Sequence, residues 1–510
     1  MLPSPVRVLA LLTTLFLGLL SQARATEPLR LLAAPGSLRS DEVTLLWDKV
    51  DASGSPVVYQ LFRDGTPVGQ THKTHLTLRG LKPGQAQVFT LQAQSGSVTR
   101  RSEALTLHTP ATETVHSVVD FGARGDGTTL NTQAIQAAID ACPANGVVLI
   151  PKGVFLSGAL FLKSDMTLLI AAGGVLKGSA NPADYEPFYL NRFEGWELKT
   201  YASLLNAGRL DRAGPATVRN LSIRGEGTLS GGGKVLGQAM KATHGLRGRG
   251  RLVCLMNCAN VEIQGLRIEE APCWTLHYIY SENVSLHGLK IHSDVHNGDG
   301  IDPDSSRNSY IFNCSFDTGD DCIAIKSGKN PEGNVVNRPT ENVQIFDCVF
   351  TRGHGISIGS EMSGGVRGVL VQDCIAGDLL NGMQIKATKD RGAYIEDVLV
   401  RDCDLQKITI LTKLNYNNDG AAAPEQPFFR NFRFVNIDLS KAPTKGPVII
   451  VNGFSQAGHR TKNVHFENIC LPKGGRIQVD EAEDVRFVNV LTADGGKPAY
   501  EVTNSERIQH

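Results

Sequence analysis

Nine segments between residue 260 and the C-terminus follow one template, and nothing else in this 510-residue chain restricts its fold as strongly. Asn260-VEIQGLRI, Asn342-VQIFDCVF, Asp397-VLVRDCDL and Asn463-VHFENICL are examples; the others begin at Asn283, Asn308, Gly368, Asn431 and Asp484. Each opens on Asn, Asp or Gly and continues as an alternating run rich in Val and Ile, with no helical period. The intervals run from 21 to 34 residues, too irregular for an ankyrin-like or leucine-rich array. They suit a solenoid whose coils share strands while their loops vary. The expectation is an all-β chain whose main body is a right-handed parallel β-helix of about ten coils.

Residues 147–155, 166–178 and 218–231 imply earlier coils. Residues 132–141 (TQAIQAAIDA) carry apolar residues at helical spacing, which predicts an amphipathic helix that caps the first coil and protects its edge. Cys314, Cys348, Cys374 and Cys403 fall at one template position, where the other repeats have Leu, Ile or Val. Such a column reads as stacked small hydrophobes rather than a disulfide framework. Cys254 and Cys258 lack the second ligand pair of a zinc site, and no metal is expected.

The ends differ. Residues 1–25 have the order of a secretory signal: Arg7, an apolar stretch, then Ala23-Arg24-Ala25. A secreted or periplasmic protein is expected. Residues 27–110 contain short alternating runs parted by Asp-Gly, Pro-Gly and Ser-Gly turns, which predicts a β-sandwich of about seven strands. This segment resembles a fibronectin type III domain in Trp47, Tyr59, Leu81-x-Pro83-Gly84 and Phe89-x-Leu91-x-Ala93. Gln87 replaces the usual corner tyrosine, so that corner must be held another way. Residues 108–114 read as a linker, with the β-helix over 115–510. Lys+Arg and Asp+Glu are balanced at 51 each, which argues against nucleic acid as the partner. After the signal no apolar run is long enough to insert in a membrane.

Four polar clusters interrupt the repeat: Asn297-Gly-Asp299-Gly-Ile-Asp302, Gly319-Asp320-Asp321, Gly353-His354-Gly355 and Gln384-Ile-Lys386. Asp299 to Asp320 is 21 residues, Asp321 to His354 is 33 and His354 to Lys386 is 32, each about one coil. The clusters therefore recur at one phase, on strands ~4.8 Å apart. Crowded carboxylates should push one of their number to a raised pKa, fit to act as an acid. Adjacent acids can share a face only if the backbone leaves regular strand geometry, which Gly319, Gly353 and Gly355 would permit. Asp302 and Asp304 read as turn and structural acids. Lys241, Arg247, Arg249 and Arg251 form a basic loop, either a solvated rim or an aid to binding a polyanion.

NxD…DD…GHG followed by x-Ile-Lys closely resembles the polygalacturonase family, glycoside hydrolase family 28. The resemblance extends through VVDFGARGDG, GEGTLSGGG, GIDPDSS, GDDCIAIKSG and GHGISIGSE, over residues 115 to 490. It implies inverting hydrolysis of α-1,4-linked galacturonan without a cofactor. Asp320 would be the general acid, Asp299 and Asp321 would activate water, and His354 would hold the acid in its network. Lys386 would bind the substrate carboxylate, and Asn297 would touch substrate or the acid network. One departure is Gln384, where the family usually has Arg; Arg391, Lys326 or Lys389 would have to supply a further cation. Insertions at 184–212, 234–251 and 413–427 could wall off one end of the cleft, which favours exo-action by a monomer on anionic pectic chains. The alternatives are endo-action, a rhamnogalacturonan or xylogalacturonan hydrolase, a calcium-dependent pectate lyase, and a non-catalytic carbohydrate-binding solenoid.

Overall fold

The computed structural model describes residues 28–51, 56–414 and 419–510. The signal reading of 1–25 lies outside the described residues. The chain divides into two compact units, one up to Thr112 and one from Glu113.

The first unit has two antiparallel sheets. Glu42–Trp47 pairs with Leu31–Ala33 and His75–Arg79; Val58–Arg63 and Ala86–Ser95 centre the other sheet. Among the described residues eight strands form, against the seven or so expected. Val43, Leu45, Trp47, Tyr59, Leu61, Phe89 and Leu91 fill the space between them. The corner without a tyrosine is held by Gln87 Nε2, which donates to Lys82 O at 3.4 Å, and by Thr109 Oγ1, which donates to the same carbonyl at 2.6 Å.

The second unit is a parallel solenoid. One sheet of 23 strands wraps two faces, and a sheet of twelve short strands forms the third. The twelve are β1 (Leu160–Leu162), β2 (Leu205–Gly208), β3 (Val253–Met256), β4 (Leu276–Ile279), β5 (Ile301–Asp304), β6 (Ile323–Ile325), β7 (Ile356–Ile358), β8 (Met383–Lys386), β9 (Ile408–Leu411), β10 (Ile449–Asn452), β11 (Arg476–Asp480) and β12 (Ala499–Thr503). Twelve exceeds the ten or so coils expected, because the first coils lack the shared template and a long insertion separates β1 from β2.

The first template residue has a structural cause. Asn260, Asn283, Asn308, Asn342, Gly368, Asp397, Asn431, Asn463 and Asp484 all have φ between 54° and 69°. Only Gly, Asn and Asp adopt that left-handed geometry readily. Their amides also ladder from coil to coil: Asn463 Nδ2 donates to Asn431 Oδ1 at 2.9 Å, and Asn431 Nδ2 to Asp397 Oδ1 at 2.9 Å. Inside, Phe434, Phe466 and Phe487 stack with centroids 4.8 and 4.9 Å apart, the coil step. The four template cysteines are buried and unbridged. Helix α1 (Thr132–Ala141) buries Ile135, Ala138 and Ile139. Its Gln136 bonds the backbone N and O of Phe161, in the edge strand β1, at 2.9 and 3.0 Å, so the edge is covered. Among the described residues no helix is long and apolar enough to cross a membrane.

Candidate active site

The four polar clusters converge on the outer face of β5–β8. Ile301, Ile323, Ile356 and Met383 share one register position and are buried inside the solenoid. Asp299, Asp321 and His354 each stand two residues before one of these anchors, hence at one phase of three successive coils. Asp302, Ser357 and Gln384 each stand one residue after an anchor; Ser357 and Gln384 are register partners. The two adjacent acids lie where the chain has left strand geometry, as sharing one face requires. Gly353 and Gly355 have φ of 136° and 88°, and a Cβ on Gly353 would come within 2.3 Å of Thr318 Oγ1. Gly319 has no such φ; a Cβ there would sit 3.1 Å from Val295 O, so close packing explains it.

Asp320 and His354 are tethered twice. His354 Nδ1 lies 3.0 Å from Asp320 Oδ1, and the His354 N–H donates to Asp320 O at 2.9 Å. Asp321 accepts from Ser357 Oγ at 2.7 Å and from Lys386 Nζ at 3.1 Å. Asp299 is buried, with Lys326 Nζ 3.4 Å from its Oδ2. Its Oδ1 and both oxygens of the fully buried Asp302 have no hydrogen-bond donor among the described residues.

The electrostatics follow from this burial. Desolvation, reinforced by the charges of Asp302 and Asp320, raises the Asp299 pKa well above the carboxylate range. Burial likewise pushes Asp302 up, to about 7. Burial also opposes ionisation of Asp320, but the hydrogen bond and charge of His354 outweigh it and hold that carboxyl low. The same hydrogen bond raises His354 above its ordinary value. The carboxyl with the raised pKa is therefore not the one that the family resemblance implies as the acid.

Several expected contacts are corrected by burial. Lys326 lies beneath the acids, 3.5 Å from Asp302 Oδ1 and 3.7 Å from Glu361 Oε2, with Nζ 4.6 Å from the Trp274 ring centre. It is a counter-ion to the carboxylates and is not presented to a ligand. Arg391 is fully buried, donating to Ser360 O and to Asn330 Oδ1 at 2.8 and 2.6 Å, so it does not replace the missing guanidinium at Gln384. Arg249 and Arg251 are buried too, flanking Phe193 with Cζ 5.4 and 4.6 Å from its ring centre, and so form neither a solvated rim nor a polyanion patch. Arg249 Nη2 donates to Asn297 Oδ1 at 2.7 Å and fixes that loop. Lys386, mostly buried, and the half-buried Gln384 face the cleft; Lys389 is exposed beyond it. Asp302 belongs to the acid cluster rather than to a turn, while Asp304 is structural, ion-paired to Arg192 at 2.8 Å.

Ser357, Glu361 and Trp274 were missed. Ser357 carried a signal, since its position after Ile356 matches that of Asp302 after Ile301. Glu361 and Trp274 reach the site through Lys326, a contact between coils that no spacing discloses.

The insertions meet one another beside the acids. The antiparallel hairpin Tyr189–Phe193/Trp196–Thr200 precedes β2, yet its Arg192 bonds Asp304 at the end of β5 and Gly195 O accepts from Lys329 N at 3.2 Å, after β6. It thus crosses the outer face of the sheet beside the acids. Helix α2 (Gly233–His244) and the turn after it precede β3. There Arg247 Nε donates to Glu194 Oε2 of the hairpin at 2.9 Å, and Nη2 bonds Asp419 from the loop after β9. Asp419 also bonds Lys329 Nζ.

Among the described residues, Asp320, Asp321 and His354 are the one group of three side chains whose ligand-type atoms fall within 4.8 Å of one another. All three are engaged in the hydrogen bonds above.

Residues 148–490 match the family described as Glycosyl hydrolases family 28. An exo-poly-alpha-D-galacturonosidase of Dickeya chrysanthemi is 27% identical, over 92% of this chain and 91% of its own length. An endo-polygalacturonase of Pectobacterium carotovorum subsp. carotovorum is 28% identical, over 68% of this chain and 86% of its own. The solved family 28 exopolygalacturonase of Yersinia enterocolitica superposes with a TM-score of 0.84 at 26% identity, covering 94% of this chain and 99% of that one.

Proposed function

The chain belongs to glycosyl hydrolases family 28, and from that membership we propose that it is an exported exo-polygalacturonase. It hydrolyses α-1,4-galacturonosidic bonds at the end of an anionic pectic chain, with inversion, as a monomer in the periplasm or medium. The observation that carries the exo reading is the hairpin lying across the sheet beside the catalytic strip; a polymer can reach the acids from one end only. The exo-acting relatives, similar over nearly the whole chain, support the same reading.

The Asp320–His354 pair holds one mobile proton between pKa values displaced in opposite directions. As the glycosidic oxygen approaches, Asp320 delivers that proton to the leaving group. Asp299 and Asp321 together activate the attacking water on the opposite side of the sugar, Asp299 orienting it and Asp321 taking up its proton, the division of labour of an inverting hydrolase. Lys386 meets the uronate carboxylate while bonded to Asp321, so substrate charge and base are oriented by one ammonium. Gln384 and Asn297 supply neutral hydrogen bonds to the sugar. Lys326 keeps the buried acids from repelling one another out of place.

Chromatography of the first products from polygalacturonate tests this. Mono- or digalacturonate alone is expected from the outset. An early ladder of mixed oligomers would establish endo-action, and an unsaturated, ultraviolet-absorbing product would establish a lyase.

A further inference from the structure

We infer that Arg247 is a specificity-determining residue: its guanidinium clasps three separate insertions together across the cleft and thereby sets the length of the released product. The inference rests on the exo reading and deepens it.

The three insertions have no sequence continuity and no shared strand. Glu194 lies at the tip of the hairpin before β2, Arg247 in the turn before β3, and Asp419 in the loop after β9. Hairpin and turn enter from the N-terminal ends of their strands, whereas the Asp419 loop leaves from a C-terminal end. Arg247 joins both sides by using Nε for Glu194 and Nη2 for Asp419, which a lysine point charge cannot do with the same geometry. Lys329, in the loop after β6, completes a chain of alternating charges through its bond to Asp419. The loop carrying Asp419 is seated further by Asn330 Nδ2, which donates to Ala421 O at 2.9 Å. Gly420 fits there because a Cβ would come 2.1 Å from Asn330 O.

The clasp is near the surface, with the side chains of Arg247 and Asp419 exposed by 36% and 41%. Ion pairs this exposed are individually weak and are screened by salt. Burial alone would raise the Asp419 carboxyl, but its bonds to Lys329 and Arg247 hold it well below the usual range, so the clasp stays charged wherever the carboxylate matters. It should therefore yield to ionic strength rather than to pH. Other anchors of the hairpin, among them Arg192 on Asp304 and the Phe193–Trp274 stack at 4.7 Å, are buried and do not depend on Arg247. Loss of the clasp thus loosens the wall without dismantling the strip.

The test compares wild type, Arg247→Ala and Asp419→Ala on polygalacturonate, reading the first products by anion-exchange chromatography, with thermal melting of each. Both variants are expected to fold, to keep cleaving, and to lose the pattern of mono- and digalacturonate alone, releasing tri- and longer oligomers early. Wild type should shift the same way at raised salt, whatever the fall in overall rate. Unchanged product length in a folded variant, or in wild type across the salt series, overturns the role of Arg247 while leaving the exo reading intact. An oligomer ladder from wild type at low salt overturns the exo reading itself. If neither variant folds, the salt series alone decides.

Discussion

Asp320 and His354, one coil apart, are joined at both side chain and backbone, with Nδ1 3.0 Å from Oδ1 and the His354 N–H 2.9 Å from Asp320 O. The backbone bond holds the two residues at one separation, and the side-chain bond aims the imidazole at the carboxyl. The shared hydrogen bond lowers Asp320 and raises His354, so the two titrate as a pair.

Removing that acid is the most direct check. Asp320→Asn should fold, since the amide keeps the shape and the 2.9 Å bond to the Asp321 N–H. Activity should fall by ~10²–10⁴, the usual size of a lost general acid. Reducing-sugar release and a melting curve measure both; near-normal turnover would remove Asp320 from its role.

The pair also fixes a pH dependence. The His354 pKa is raised, so the pair keeps its proton as pH rises past ~6.5 and loses it only above. In His354→Asn the acid proton depends on Asp320 alone, and the alkaline limb of kcat/KM should move to lower pH. A limb that stays in place would show that the proton comes from elsewhere.

Asp302 sets a stability gradient. Its folded pKa, about 7, is above the unfolded value, so the folded state binds more protons between those limits. Stability from this group is therefore present at low pH and is lost as pH rises from ~4 towards 7, at up to ~1.4 kcal/mol per unit. Asp302→Asn mimics the protonated form, and Lys326 keeps Asp299 and Glu361 as partners. The melting temperature of the variant relative to wild type should rise across that interval. A constant difference would show that Asp302 is ionised throughout.

Lys386→Met removes the cation 3.1 Å from Asp321 and the group facing the uronate. KM should increase and kcat should fall, because one ammonium serves both binding and orientation. If only KM changes, the bond to Asp321 has no part in catalysis.

At the other end, Gln136→Ala exposes the edge of β1 by deleting both bonds to Phe161. The expected loss is ~1–2 kcal/mol in denaturant unfolding. Exchange at the Phe161 amide should accelerate; unchanged protection would mean that water or another group covers the edge equally well.

Local rules made the solenoid legible. Positions with φ near 55° admit few residue types, so Asn, Asp or Gly opens each of the nine template repeats, and alternation marks which side chains enter the core. Coil-length spacing then places Asp299, Asp320, Asp321, His354 and Lys386 on one strip. The same rules could not tell a presented cation from a buried one. Lys326, Arg391, Arg249 and Arg251 read alike in sequence, yet each is buried against groups from other coils.

The coil, its phase and the chemistry on it are written in the order of residues, because they depend on neighbours within one turn and on repetition. Which carboxyl is pushed up, which cations are counter-ions, and the meeting of Glu194, Arg247 and Asp419 emerge from the folded chain alone. Desolvation and ion pairing depend on what insertions far apart in the chain cover when they fold, and no local pattern encodes that meeting.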